Sequence, residues 1–116
     1  YADCNHVEQI LTILLDNAVK YTPKKEKIYI KTEQVNDMTA ISVINTGVSI
    51  SEKDMPHIFD RFYRSINAQK YEGSGLGLSI AKALAEKNSG KLLVKSEENI
   101  KTIFTVSIFH MKILQN

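Results

Sequence analysis

The sequence predicts an α+β fold, a two-layer sandwich of helices on a sheet, from three observations. Apolar residues recur at helical spacing over 5–21, a second helix-forming run starts at a glycine-rich turn near 75, and two pairs of short β-rich runs follow these helices. The order is α, β, β, loop, α, β, β. A doubly wound parallel sheet would place a helix after each strand, and this order does not.

The first helix rests on Val7, Ile10, Leu11, Leu14, Leu15 and Ala18, with Asp3 placed to cap its start and Pro23 to end it. Ile28-Tyr29-Ile30 and Ala40-Ile41-Ser42-Val43-Ile44 then read as strands joined by a turn at Asn36-Asp37, a hairpin. The stretch 47–77 carries Pro56, four of the glycines and many polar residues, punctuated by Ile58, Phe59, Phe62 and Tyr63. A loop this long inside a small domain is a functional or a disordered segment. From Leu76 to Asn88 the run is rich in Ala, Leu and Lys, and Gly90 sits where a C-terminal cap belongs. Leu92-Leu93-Val94 and Thr102–Phe109 form the second strand pair around a turn near Glu98-Asn99, with Phe104, Val106 and Ile108 alternating.

At 116 residues and 43% hydrophobic content, the chain fits one domain, 1–116, with a modest core and no internal linker. Its 15 Lys+Arg and 13 Asp+Glu are scattered, which gives a formal charge of +2 and no basic stripe of the kind nucleic acid requires. The single cysteine, Cys4, excludes an internal disulfide, and no Cys/His cluster suits zinc, so a metal would need oxygen ligands. No apolar run reaches the roughly 18 residues of a membrane span, and the first residues are no signal peptide. The chain reads as soluble.

Two constellations carry chemistry. Gly73-Ser74-Gly75-Leu76-Gly77-Leu78 leads into a helix, where close glycines let backbone N–H groups approach a phosphate and the helix dipole favours the anion. The spacing G-x-G-x-G is neither a P-loop nor a dinucleotide-binding fingerprint, and a plain capping turn reads equally well from this run alone. On the first helix Asn17, Lys20 and Tyr21 fall at i, i+3 and i+4 and share one edge. An amide oxygen can hold a magnesium ion, an ammonium can neutralise phosphate and a ring can pack on a base, whereas an ordinary amphipathic helix shows the same polar edge.

The run from Asp3 through Leu14-Leu15-Asp16-Asn17-Ala18-Val19-Lys20-Tyr21-Thr22-Pro23 closely resembles the N-box of sensor histidine kinases. Asn45-Thr46-Gly47 resembles a variant G1 box, Pro56-His57-Ile58-Phe59-Asp60-Arg61-Phe62-Tyr63-Arg64 the F-box, and Gly73 to Ile80 the G2 box, all in the family's order. The resemblance implies a Bergerat fold, shared with DNA gyrase and MutL ATPases. That fold is a mixed β-sheet covered on one face by about three helices, with ATP held beneath a mobile lid, here about Asp60 to Gly73.

Carried over residue by residue, the resemblance implies that Asn17 ligates Mg2+, Lys20 meets phosphate, Tyr21 packs near the adenine and Asn45 meets its amino group. Gly47 would let the backbone approach the base, Arg61 would contact the γ-phosphate, and Phe59 and Phe62 would anchor the lid. Gly73, Gly75 and Gly77 would wrap the phosphates, with Ile50, Leu76, Leu78 and Thr102 completing the nucleotide pocket.

Asn17, Lys20 and Arg61 are then the expected catalytic residues of a protein-histidine kinase that transfers the γ-phosphate of ATP to a histidine outside this chain. A nucleotide-sensing module with weak catalysis is the alternative, and a gyrase-like hydrolase is disfavoured because Ile13 stands where such enzymes place a glutamate. Ile13 also replaces a second family Asn, and Asn45-Thr46-Gly47-Val48-Ser49 has Asn and Ser where the family has Asp and Gly. His6, His57 and His110 lack an acceptor context. The implied partners are the protein's own dimerisation and phosphotransfer domain and a response regulator, with this chain monomeric and the full protein a membrane-anchored homodimer.

Overall fold

A computed structural model describes residues 2–63, 76–97 and 100–109. Helix α1 spans Cys4–Tyr21, followed by strands β1 (Ile28–Val35) and β2 (Met38–Thr46), a single 3-10 turn (Met55–His57), helix α2 (Gly77–Lys87), and strands β3 (Lys91–Glu97) and β4 (Lys101–Phe109). The sandwich is therefore as expected, with strands longer than the apolar runs because hairpin pairing extends into their polar ends.

Asp3 starts α1 as expected. Its carboxylate accepts from the backbone N–H of Asn5 at 2.8 Å and of His6 at 3.3 Å, and these two bonds hold its pKa below the ordinary value. Val7, Ile10, Leu14 and Ala18 form the buried stripe of α1, and burying Ile10 or Leu14 stabilises the fold by roughly 1.5–3 kcal/mol each. Thr22 closes the helix, its N–H and hydroxyl both donating to the Ala18 carbonyl.

The sheet order is β1-β2-β4-β3, and every described pairing is antiparallel. These four strands are thus antiparallel, in contrast to the expected mixed sheet: both hairpins are tight, and β2 and β4 run in opposite directions. Two α-helices cover the sheet among the described residues. Ile41 and Val43 of β2, Leu92 of β3, and Phe104, Val106 and Ile108 of β4 point at the helices, and the antiparallel register stacks Val43 on Phe104 and Ile41 on Val106. Ala81 and Ala85 are fully buried on α2, and such small side chains let it approach α1 and the sheet closely.

The C-terminal end of α2 differs in detail from expectation. Gly90 N–H donates to the Ala85 carbonyl and Ser89 N–H to that of Glu86, a Schellman motif whose left-handed residue is Ser89 at φ +59°, not the glycine. Gly90 answers a different demand. A Cβ there would sit 2.3 Å from the Ser107 carbonyl oxygen, so only glycine lets the chain pass under β4.

Candidate functional site

The buried face of the sheet changes character at one end. Above the apolar rows, the register aligns Asn45 of β2, Thr102 of β4 and Ser96 of β3 in one polar cross-strand row on the helix side. Asn45 and Thr102 are 4% and 3% exposed, the two buried polar residues among those described. The segment after β2 folds over this row. Thr102 Oγ1 donates to the Val48 carbonyl at 3.0 Å, and Ile50 N–H donates to Ser96 Oγ at 2.7 Å. Ile50 also packs against the core from above.

Asn45 stands apart in this row. No hydrogen bond to a described residue satisfies its side-chain amide, although leaving a buried polar group unmet costs about 1–3 kcal/mol. Buried amides pair with protein, water or a bound molecule, so the physical expectation at this end of the sheet is a partner from outside the described residues.

Gly47 follows immediately with φ +76°, and its N–H donates to the Ile100 carbonyl at 2.8 Å. The left-handed conformation calls for glycine. A Cβ there would also displace the Glu26 side chain, whose carboxyl carbon lies 2.4 Å from its place. Thr46 Oγ1 donates to Glu26 Oε2 at 2.7 Å and accepts from Lys27 N–H at 2.8 Å, holding that carboxylate in place. Sequence reasoning missed Glu26, because only the β1–β2 register brings it to Gly47.

The polar edge of α1 forms as its spacing implies. Asn17 is half-buried and makes no hydrogen bond to a described residue, Lys20 is exposed, and its ammonium lies 6.0 Å from the Tyr21 ring centroid. Beyond the 3-10 turn, Phe59 meets Phe104 edge to face, with centroids 6.4 Å apart, and Lys82 Nζ sits 5.4 Å from the Phe59 ring. Phe59 thus ties this segment to the core. Phe62 is 66% exposed with φ +65°, and Arg61 beside it is exposed.

The turn is braced from within. Tyr63 donates its hydroxyl to Asp54, which also accepts from Ser51, so the Asp54 carboxyl is held below its ordinary pKa, chiefly by the Tyr63 bond, and the phenol is pushed up.

Helix α2 begins at Gly77 with no side-chain cap, and Ser79 Oγ instead donates back to the Leu76 carbonyl. Uncapped first-turn amides at a helix N-terminus suit an anion. Leu78 is half-buried against the core, and a Cβ at Gly77 would come within 3.4 Å of Ile13, ordinary van der Waals range. Ile13, the residue at a polar family position, therefore packs against the start of α2. Gly73, Gly75 and most of the expected lid lie outside the described residues.

This arrangement has relatives. Residues 2–112 match the family described as "Histidine kinase-, DNA gyrase B-, and HSP90-like ATPase". The chain belongs to that family. Among its members, the signal transduction histidine-protein kinase ArlS of Staphylococcus aureus (strain USA300) is 42% identical over 101 residues, covering 85% of this chain and 22% of ArlS. The chain thus spans about a fifth of the curated relative it matches.

The solved mycobacterial sensor histidine kinase MprB superposes with a TM-score of 0.83 at 26% identity, over 93% of this chain and 74% of that one. The catalytic domain of histidine kinase ThkA does so at 0.79 and 33%, over 93% and 68%. This histidine-kinase-like ATPase domain accordingly carries the α+β sandwich of solved histidine kinase catalytic domains. No helix among its described residues is long and apolar enough to cross a membrane.

Proposed function

We propose that this domain binds magnesium-ATP between α1, the polar end of the sheet and the start of α2, and transfers the γ-phosphate to a histidine on a separate domain of the same protein. The observation that carries the reading is the buried Asn45 amide at the sheet end, unmet among the described residues and flanked in sequence by Gly47 at positive φ and in space by loop 48–50. The uncapped N-terminus of α2 supplies amides suited to the phosphates, and Lys20 and Arg61 are exposed cations able to offset their charge.

The described residues contain no cluster of three or more His, Cys, Asp or Glu side chains of the kind that binds a metal by itself. That fits magnesium, which keeps waters and substrate phosphates as ligands and needs one or two protein oxygens. Asn17 would contribute its amide oxygen, and the ion would supply charge neutralisation at the phosphates. The protein's own work is positioning: Asn45 and the Gly47 backbone fix the base, while Lys20, Arg61 and the α2 amides orient the phosphates for in-line attack. Tyr21 packs near the base, and Ile50, Leu76, Leu78 and Thr102 line or support the pocket.

In the whole protein the acceptor histidine belongs to a dimerisation domain, a response regulator takes the phosphoryl group onward, and a membrane anchor lies outside this chain. The test is phosphotransfer in trans. With magnesium and γ-labelled ATP, the domain is expected to place acid-labile phosphate on a polypeptide carrying the protein's acceptor histidine, and Arg61→Ala to reduce the rate. A domain that binds nucleotide yet transfers nothing to that polypeptide would favour a sensing module instead.

A further inference from the structure

The chemistry of the unmet amide reaches beyond the binding of one nucleotide. Asn45 is 4% exposed, and its neighbours have spent their donors: the Thr102 hydroxyl on Val48, the Ile50 N–H on Ser96, and the Thr46 hydroxyl on Glu26. Among the described residues of the polar row, Ser96 and Thr102 each engage their hydroxyl in a hydrogen bond, whereas the Asn45 amide has its donors and its acceptor all uncommitted. A carboxylate in its place would offer acceptors alone.

The pyrimidine-ring edges of the two common purines are inverses of each other. Adenine presents a 6-amino donor beside the N1 acceptor, guanine a 6-oxo acceptor beside the N1–H donor. Rotating an asparagine amide by half a turn exchanges its oxygen and nitrogen, so one side chain matches either edge with two hydrogen bonds. Resting on the nucleotide-site reading above, we infer that Asn45 makes this site a dual-purine reader: it takes the triphosphates of 6-amino and 6-oxo purines alike and selects against purines bare at position 6.

The test is titration of the 116-residue chain, with magnesium, by adenylyl imidodiphosphate, guanylyl imidodiphosphate and the triphosphate of unsubstituted purine riboside. The first two are expected to bind within about tenfold of each other and the third about tenfold or more weaker than both, the worth of a lost hydrogen bond to a buried partner. Asn45→Asp is expected to shift preference towards the adenosine analogue by about tenfold or more, since a carboxylate repels the 6-oxo group. The unsubstituted purine probes the wild-type chain directly, so the question is answered even if a buried carboxylate prevents folding. Binding of the adenosine analogue with the guanosine analogue a hundredfold weaker would overturn the dual reading and leave the nucleotide site standing. Binding of none of the three would overturn both.

Discussion

Asp3 shows how one side chain joins the helices. Its carboxylate caps α1, its own N–H donates to Asn88 Oδ1 at 2.8 Å, and Asn88 Nδ2 reaches the Leu84 carbonyl and His6 Nδ1. The start of α1 and the end of α2 are thereby pinned through one amide. The backbone bonds from Asn5 and His6 lower the Asp3 pKa, with smaller contributions from the His6 and Lys87 charges.

A depressed carboxylate contributes stability above its unfolded pKa and loses it as pH falls through the folded one. Asp3→Asn, which keeps an oxygen but not the charge, is therefore expected to be less stable than wild type at neutral pH and to converge with it in acid. Urea unfolding at a series of pH values checks this. A stability gap that stays constant from neutral to strongly acidic pH would show that the charge contributes nothing.

At the scale of elements, the periodic parts were legible in the sequence. Val7, Ile10, Leu14 and Ala18 declared the buried face of α1, and Asn36-Asp37 marked the β1–β2 turn, with Asn36 at φ +55°. Long-range placement was not legible. The Asn45-Thr102-Ser96 row exists only through strand register, and Glu26 comes to cover Gly47 for the same reason. Gly90 looked like a cap, whereas its necessity comes from the Ser107 carbonyl on another strand.

Gly90→Ala is accordingly expected to cost about 1–3 kcal/mol through overpacking, while Ser89→Gly, which relieves a positive φ, is expected to stabilise by a few tenths to about 1 kcal/mol. Melting curves of both variants test the assignment, and opposite signs are the expected result. Around the 3-10 turn, Tyr63→Phe removes the Asp54 bond and is expected to raise the Asp54 pKa towards its ordinary value. Carboxyl chemical shifts followed through an acid titration would reveal this, and an unmoved Asp54 would show that Ser51 alone holds it.

Over the whole molecule, the sandwich packs its apolar rows between sheet and helices and leaves the proposed nucleotide site at one end, where β2 stops. The fold and the polar edge of α1 could be read from periodicity and motif order. The unmet state of Asn45, the exposure of Phe62 and the packing of Ile13 against the start of α2 depend on contacts that a sequence pattern does not carry. The described histidines have structural neighbours: His6 meets Asn88, and His57 Nδ1 lies 3.0 Å from Asp60 and its ring 5.2 Å from that of Tyr63. With magnesium-ATP alone the chain is expected not to phosphorylate itself, and stable acid-labile phosphate on His6, His57 or His110 would refute that.

The central claim is a magnesium-dependent nucleotide site built on α1 and the polar sheet end. Calorimetric titration of the chain with a non-hydrolysable ATP analogue, with and without magnesium, tests it most directly when repeated on Asn17→Ala. The account predicts saturable one-to-one binding that magnesium strengthens, and loss of that magnesium dependence in the variant while its circular dichroism and melting point stay those of wild type. Equal affinity in the two proteins, or binding indifferent to magnesium in wild type, would contradict it.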